Sequence, residues 1–161
     1  MEILSLIEQF QFNFLDDSRW QFIVSGLKNT IIITFFAVLL GVFLGFLIAI
    51  VRSTHDKTGK LKILNVICRV YLTVIRGTPT MVQLLIVYYV IFATVDPGKV
   101  IVAIIAFGMN SAAYVAEIVR SGIMSIDQGQ FEAGRSLGLN YTQTMTKIIL
   151  PQAVKNILPA L

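Results

Sequence analysis

The sequence has one cysteine, Cys68, and one histidine, His55. A lone thiol excludes an internal disulfide, and the pair offers neither a Cys-x-x-Cys element nor the Cys/His spacing of a zinc site. Charge is scarce too. Asp, Glu, Lys and Arg make up 14% of the 161 residues and apolar types 56%, against roughly 25% and 45–50% in soluble domains. That balance excludes an ordinary water-soluble domain. A basic n-region is missing, because Glu2, Glu8, Asp16 and Asp17 precede the first long apolar run, which argues against a cleaved signal peptide. The net charge of +4 does not point to nucleic acid: the basic residues lie in loops beside apolar runs and form no aromatic-interleaved basic surface.

What is present is long and apolar. Thr30–Val51 carries no charge, and Val100–Val119 carries only Glu117. Each matches the roughly 20 apolar residues that a helix needs to cross about 30 Å of hydrocarbon. These runs predict spans over 28–51 and 100–119, with an extracytoplasmic or interfacial segment over 1–21 where Phe10, Phe12, Phe14 and Trp20 alternate with acids. Arg52–Lys62 is basic and reads as a cytoplasmic loop, which puts the N-terminus outside.

Residues 63–93 are interrupted by Arg69, Arg76, Gly77 and Pro79, and neither half is long enough to cross alone. They predict one broken, tilted span. Parity agrees, since the segment after Val119 is basic again and needs an even number of crossings after Arg52–Lys62. Asp96, Pro97 and Gly98 then set a tight outside turn. Residues 120–150 are too polar to span and predict two short helices, Gln130–Leu137 and Tyr141–Leu150, parted by Gly138. Residues 151–161 open a fourth apolar stretch too short to cross, so the chain is expected to be incomplete.

Asn110, Tyr114, Glu117 and Ser121 fall on one helical face, with Ser111 beside them. A carboxylate in a span costs several kcal/mol facing lipid. The stripe, with Gln83, is therefore either the lining of a translocation route or interhelical bonding, Glu117 pairing with Arg120 or Arg76. Arg76, Gly77 and Pro79 form a structural break that leaves backbone carbonyls unpaired within or beside the membrane, tolerable only against protein or a watery cavity. In Gly129–Pro151, Glu132 lies close to a helix N-terminus, Ala133 and Gly134 permit close approach, and Gly138 turns the chain. A small helix–Gly–helix projection of this kind suits a partner's groove.

The order Glu132-Ala133-Gly134, Gly138, Ile148, Leu150-Pro151 resembles the EAA loop of bacterial ABC importer permeases, with Gly134 where the second alanine is usual. RGTPTMVQ (76–83), AYVAEIVRSGI (113–123) and GQFEAGRSLGL (129–139) resemble more narrowly the polar amino-acid subfamily, the histidine/glutamine/arginine/opine permeases. The resemblance runs over about 26–161. It implies an all-α membrane protein, a polytopic bundle of the type I importer (MetI-like) kind over 22–161, in a bacterial inner membrane. It also implies a second permease subunit, identical or related, an extracytoplasmic amino-acid-binding protein, and an ATPase docked on the EAA loop through Glu132, Ala133, Gly134, Gly138, Leu150 and Pro151. With no GxxxxGK[ST] loop in this sequence, ATP is expected on that separate subunit; the chain itself is expected to hold no cofactor or metal and to be no enzyme. Members usually continue through two more spans. The rival readings are an ion-coupled secondary amino-acid transporter built on Glu117 and a membrane anchor without transport; the cargo's side chain stays open.

Overall fold

In the computed structural model, residue 5 and residues 8–161 except 96 are described. Asp96, expected in the outside turn, and Glu2 lie outside the described residues. The elements are α1 (Trp20–Thr58), α2 (Lys62–Gly77), α3 (Thr80–Ile91), α4 (Lys99–Met124), α5 (Gln128–Ser136) and α6 (141–157); no strand occurs among the described residues. Helices α1 and α4 are long and apolar enough to cross a membrane, and the bent pair α2–α3 makes a third candidate if counted as one span.

Helix α1 extends beyond the apolar run at both ends and is about 58 Å long at 1.5 Å per residue. Most of the expected polar loop after Val51 is thus helix, since straight-chain and polar residues continue a helix where no Gly or Pro stops it. Gly59 stops it at φ +69, its N–H bonded to the His55 carbonyl at 2.8 Å. Ahead of α1, a π-helical turn (Gln11–Leu15) and a 3-10 turn (Asp16–Ser18) bring Phe10 onto Phe14 and Arg19 over the Phe12 ring, all near solvent-exposed surface.

The buried residues of α1 are Ala37, Gly41, Gly45, Ala49 and Ser53. A spacing of four keeps them in one stripe, and their small size lets the α4 backbone approach. A Cβ on Gly45 would stand 2.7 Å from the Val115 side chain and 3.0 Å from the Ala112 carbonyl, and one on Gly41 would overlap the Ser111 hydroxyl. From the other side, Gly108 admits Leu40. This is the close packing that joins helices where lipid removes the hydrophobic drive between them. The opposite face of α1 leaves Phe22, Ile31, Phe35 and Phe43 exposed, as a surface bathed in acyl chains requires.

The segment 63–93 bends far more sharply than a tilted but continuous span: the chain direction turns by 112° between α2 and α3. Proline 79 has no N–H and forces its predecessor out of the helical region. Thr78 and Pro79 are both extended, at ψ 143° and 136°.

At the other end of α4, Ala49, Val119, Ile123, Phe131, Ile149 and Ile157 form one core that ties α1, α4, α5 and α6 together. The second short helix does not end at Leu150 as expected but continues through Pro151. The π-helical turn Met145–Ile149 explains this, because a widened turn relieves the contact between a proline ring and the preceding carbonyls.

Candidate functional site

The polar side chains gather in two places. The first is a seam between α4 and the bent pair. At the break, Gln83 is 7% exposed, and its Nε2 donates to the Ile75 carbonyl (2.5 Å), the Thr78 carbonyl (2.9 Å) and Thr78 Oγ1 (2.8 Å). Two hydrogens are shared among three acceptors. Thr78 Oγ1 in turn donates to the Val74 carbonyl at 2.9 Å. Carbonyls freed by the break are thereby paired inside protein, as low-dielectric surroundings demand. Gln83 Oε1 accepts from Asn110 Nδ2 at 3.0 Å, pinning the elbow to α4.

Further along the same face of α4, the Arg76 guanidinium lies 5.8 Å from the Tyr114 ring centre. Glu117 is the hub beyond it: Oε2 meets Arg52 Nη1 at 2.9 Å and Arg76 Nη1 at 3.5 Å, and Oε1 meets Arg120 Nη2 at 3.2 Å. Arg120 Nη1 also holds Asp56 at 2.8 Å. One carboxylate therefore ties α1, α2 and α4 together. Arg76 and Arg120 are the expected partners of Glu117; Arg52 and Asp56 are additions. Ser111 lies apart from the seam, against Gly41 of α1, and Ser121 is spent on its own helix, donating to the Ile118 carbonyl at 2.9 Å. Gly77 has open space around its Cα, and Pro79 caps α3.

The second place is the α5–Gly138–α6 projection. Asp127 caps α5, its carboxylate accepting from Gly129 N–H at 2.7 Å. The helix begins at Gln128, not at Gln130, so Glu132 lies past the first turn, where the dipole has faded. Glu132 is exposed instead, with Ala133, Arg135 and Ser136. Gly138 takes φ +77; its N–H bonds the Arg135 carbonyl at 2.9 Å, and Leu139 N–H bonds that of Gly134 at 3.0 Å. This paired closure needs a left-handed residue, which glycine adopts without penalty. Asn140 opens α6 with a capping box to Gln143.

The inner face of the projection is buried. Phe131 is in the shared core, with Lys57 Nζ 4.4 Å from its ring centre, while Lys57 also donates to Gln128 at 2.7 Å. Gly134 is buried where a Cβ would stand 2.7 Å from Thr144, itself 2% exposed. Tyr141 lies at the start of α6, where burial pushes its phenol above the usual range. Leu150 is half-buried against the core and Pro151 is exposed. Leu137, at the tip beside Gly138, is 75% exposed.

Residues 37–161 match the sequence profile of a family described as "Binding-protein-dependent transport system inner membrane component". The chain is 35% identical to "Probable amino-acid ABC transporter permease protein YckA" of Bacillus subtilis (strain 168), covering 97% of this chain and 70% of that one. It is 35% identical to the L-cystine transport system permease protein TcyB of the same organism, covering 98% and 66%. Among solved structures it resembles "Crystal structure of an amino acid ABC transporter with histidines", with a TM-score of 0.69 and 38% identity over 85% of this chain and 67% of that one. The chain spans about two thirds of the length of the curated relatives it matches.

Proposed function

Because this chain belongs to the family of binding-protein-dependent transport system inner membrane components, whose members are membrane permeases and not themselves catalysts, we propose that it forms part of the transmembrane pathway of an amino-acid importer and couples that pathway to a separate ATPase. The observation that carries this reading is the two-sided α5: Phe131 lies in the core shared with α1, α4 and α6 and Gly134 packs against Thr144 of α6, while Glu132 and Ala133, with Leu137 just past the helix, are exposed. A helix held in this way transmits a push from a partner's cleft into both long helices. An extracytoplasmic binding protein delivers the amino acid, and a second permease subunit completes the route across a bacterial cell membrane. Amino-acid cargo is supported by the relatives' names, and the seam at Asn110, Tyr114 and Glu117 supplies polar groups in an otherwise apolar helix. An ion-coupled carrier is not favoured, because Glu117, the carboxylate it would use, is already shared by three guanidinium groups.

The test replaces Gly138 in the full-length permease reconstituted with its ATPase and binding protein. Gly138→Val forces a β-branched residue to φ +77 and is expected to cut binding-protein-stimulated ATP hydrolysis and uptake at least about tenfold with normal membrane insertion. Gly138→Asn, which tolerates that conformation, is expected to retain most of both. Normal coupling in the valine variant removes the assignment of this loop.

A further inference from the structure

Helix α2 carries a cation every seventh residue, Lys62, Arg69 and Arg76, which two turns of helix place in one stripe. Beside the stripe are two adjoining grooves of opposite character. One, about 480 Å³, is lined by Arg52, Arg69, Thr73, Arg76 and Glu117. The other, about 370 Å³, is lined by Val66, Val70 and Val74 and shares Arg69 and Thr73 with the first.

The polar groove holds three guanidinium groups against one carboxylate. Glu117 is divided between Arg52, Arg76 and Arg120, so positive charge is left over. Arg69 has no ion pair or hydrogen bond with a described residue, and Arg52 Nε is buried without an acceptor. Arg52 Nη1 is taken by Glu117, but its Nε–H still lacks an acceptor, and with the Arg69 cation beside it the groove suits an anionic oxygen.

We propose that these joined grooves bind one anionic phospholipid, its phosphodiester at Arg52, Arg69 and Arg76 and an acyl chain along Val66, Val70 and Val74. The apolar groove decides the occupant. Free phosphate, or the carboxylate of a small solute, would satisfy the arginines but leave the valine channel empty. A zwitterionic lipid would fill the channel but bring a cation to a groove already rich in them. Basic grooves between membrane helices are chemically matched to acidic headgroups, each near-surface cation adding about 1 kcal/mol.

The experiment is native mass spectrometry of the full-length permease, released from micelles holding equimolar phosphatidylglycerol and phosphatidylcholine. Wild-type protein is expected to retain one phosphatidylglycerol in preference. Arg69→Gln removes an exposed, unpaired cation, so folding should be unchanged, with melting in lipid-free micelles as the check; retained phosphatidylglycerol is expected to fall about fivefold. Lys155→Gln, a cation on α6 away from the grooves, is expected to change nothing. Equal retention of the two lipids overturns the proposal. So does an equal loss in both variants, which would mean diffuse attraction, or displacement of the lipid by equimolar inorganic phosphate.

Discussion

Gly134 and Thr144 are a matched pair, and the match gives each substitution a sign. Alanine is favoured over glycine inside a helix by about 1 kcal/mol, but here its Cβ would lie 2.7 Å from a Thr144 side chain with no room to retreat. Overpacking of that kind costs about 1–3 kcal/mol. Gly134→Ala is therefore expected to lower stability by about 1 kcal/mol in the wild-type background and to raise it by up to about 1 kcal/mol in a Thr144→Ala background. Thermal unfolding of the four proteins in detergent gives the coupling. Additive changes would show that α5 and α6 do not meet closely at this point. The same reasoning explains how this loop accommodates glycine where the resembling permeases usually carry alanine: the room that the missing methyl leaves is taken by threonine.

Among the elements, the α1–α4 contact rests on glycines whose neighbours have no space to give. Gly45→Leu is expected to lower the melting temperature of the detergent-solubilised protein by several degrees, while Gly26→Leu, with nothing within 4 Å of its Cβ, should leave it unchanged. Equal effects would mean that leucine harms α1 in some other way. The apolar centres of α1 and α4 are legible in the sequence because lipid imposes a long uncharged run. Their polar extensions are not, because hydropathy does not register a helix that continues past the hydrocarbon. The spacing of Ala37, Gly41, Gly45 and Ala49 is visible in the sequence, yet it becomes an interface only when α4 is known to lie against it. Arg76 and Arg120 could be named as partners of Glu117 from local reasoning. Arg52 is 65 positions away, and nothing in a single sequence links the two. Gly138 was legible as a turn because a glycine between two helical patterns has few other reasons to be there. A helix start at Gln130 would put Glu132 in the first turn; Asp127 caps a helix that begins two residues earlier, which moves Glu132 beyond it.

At the scale of the whole molecule, the bent pair is held to α4 by Gln83–Asn110 and Arg76–Glu117, by Tyr71 donating to the Met109 carbonyl, and by apolar contacts of Leu72 with Ala113 and Ala116 and of Val87 with Val102 and Ala106. The amide of Gln83 fills the break instead of leaving it loose. Spin labels at Ile63→Cys and Val90→Cys, both exposed, in a Cys68→Ser background should report one narrow distance. Gln83→Leu removes every bond across the elbow that this side chain makes and is expected to broaden that distribution by several ångströms. An unchanged width would locate the stiffness elsewhere. With that corner braced, α2 and α3 are the two arms of a bell crank, about 24 Å and 18 Å long at 1.5 Å per residue. With the corner held, a sideways push on one arm is expected to arrive at the other as a push along its axis.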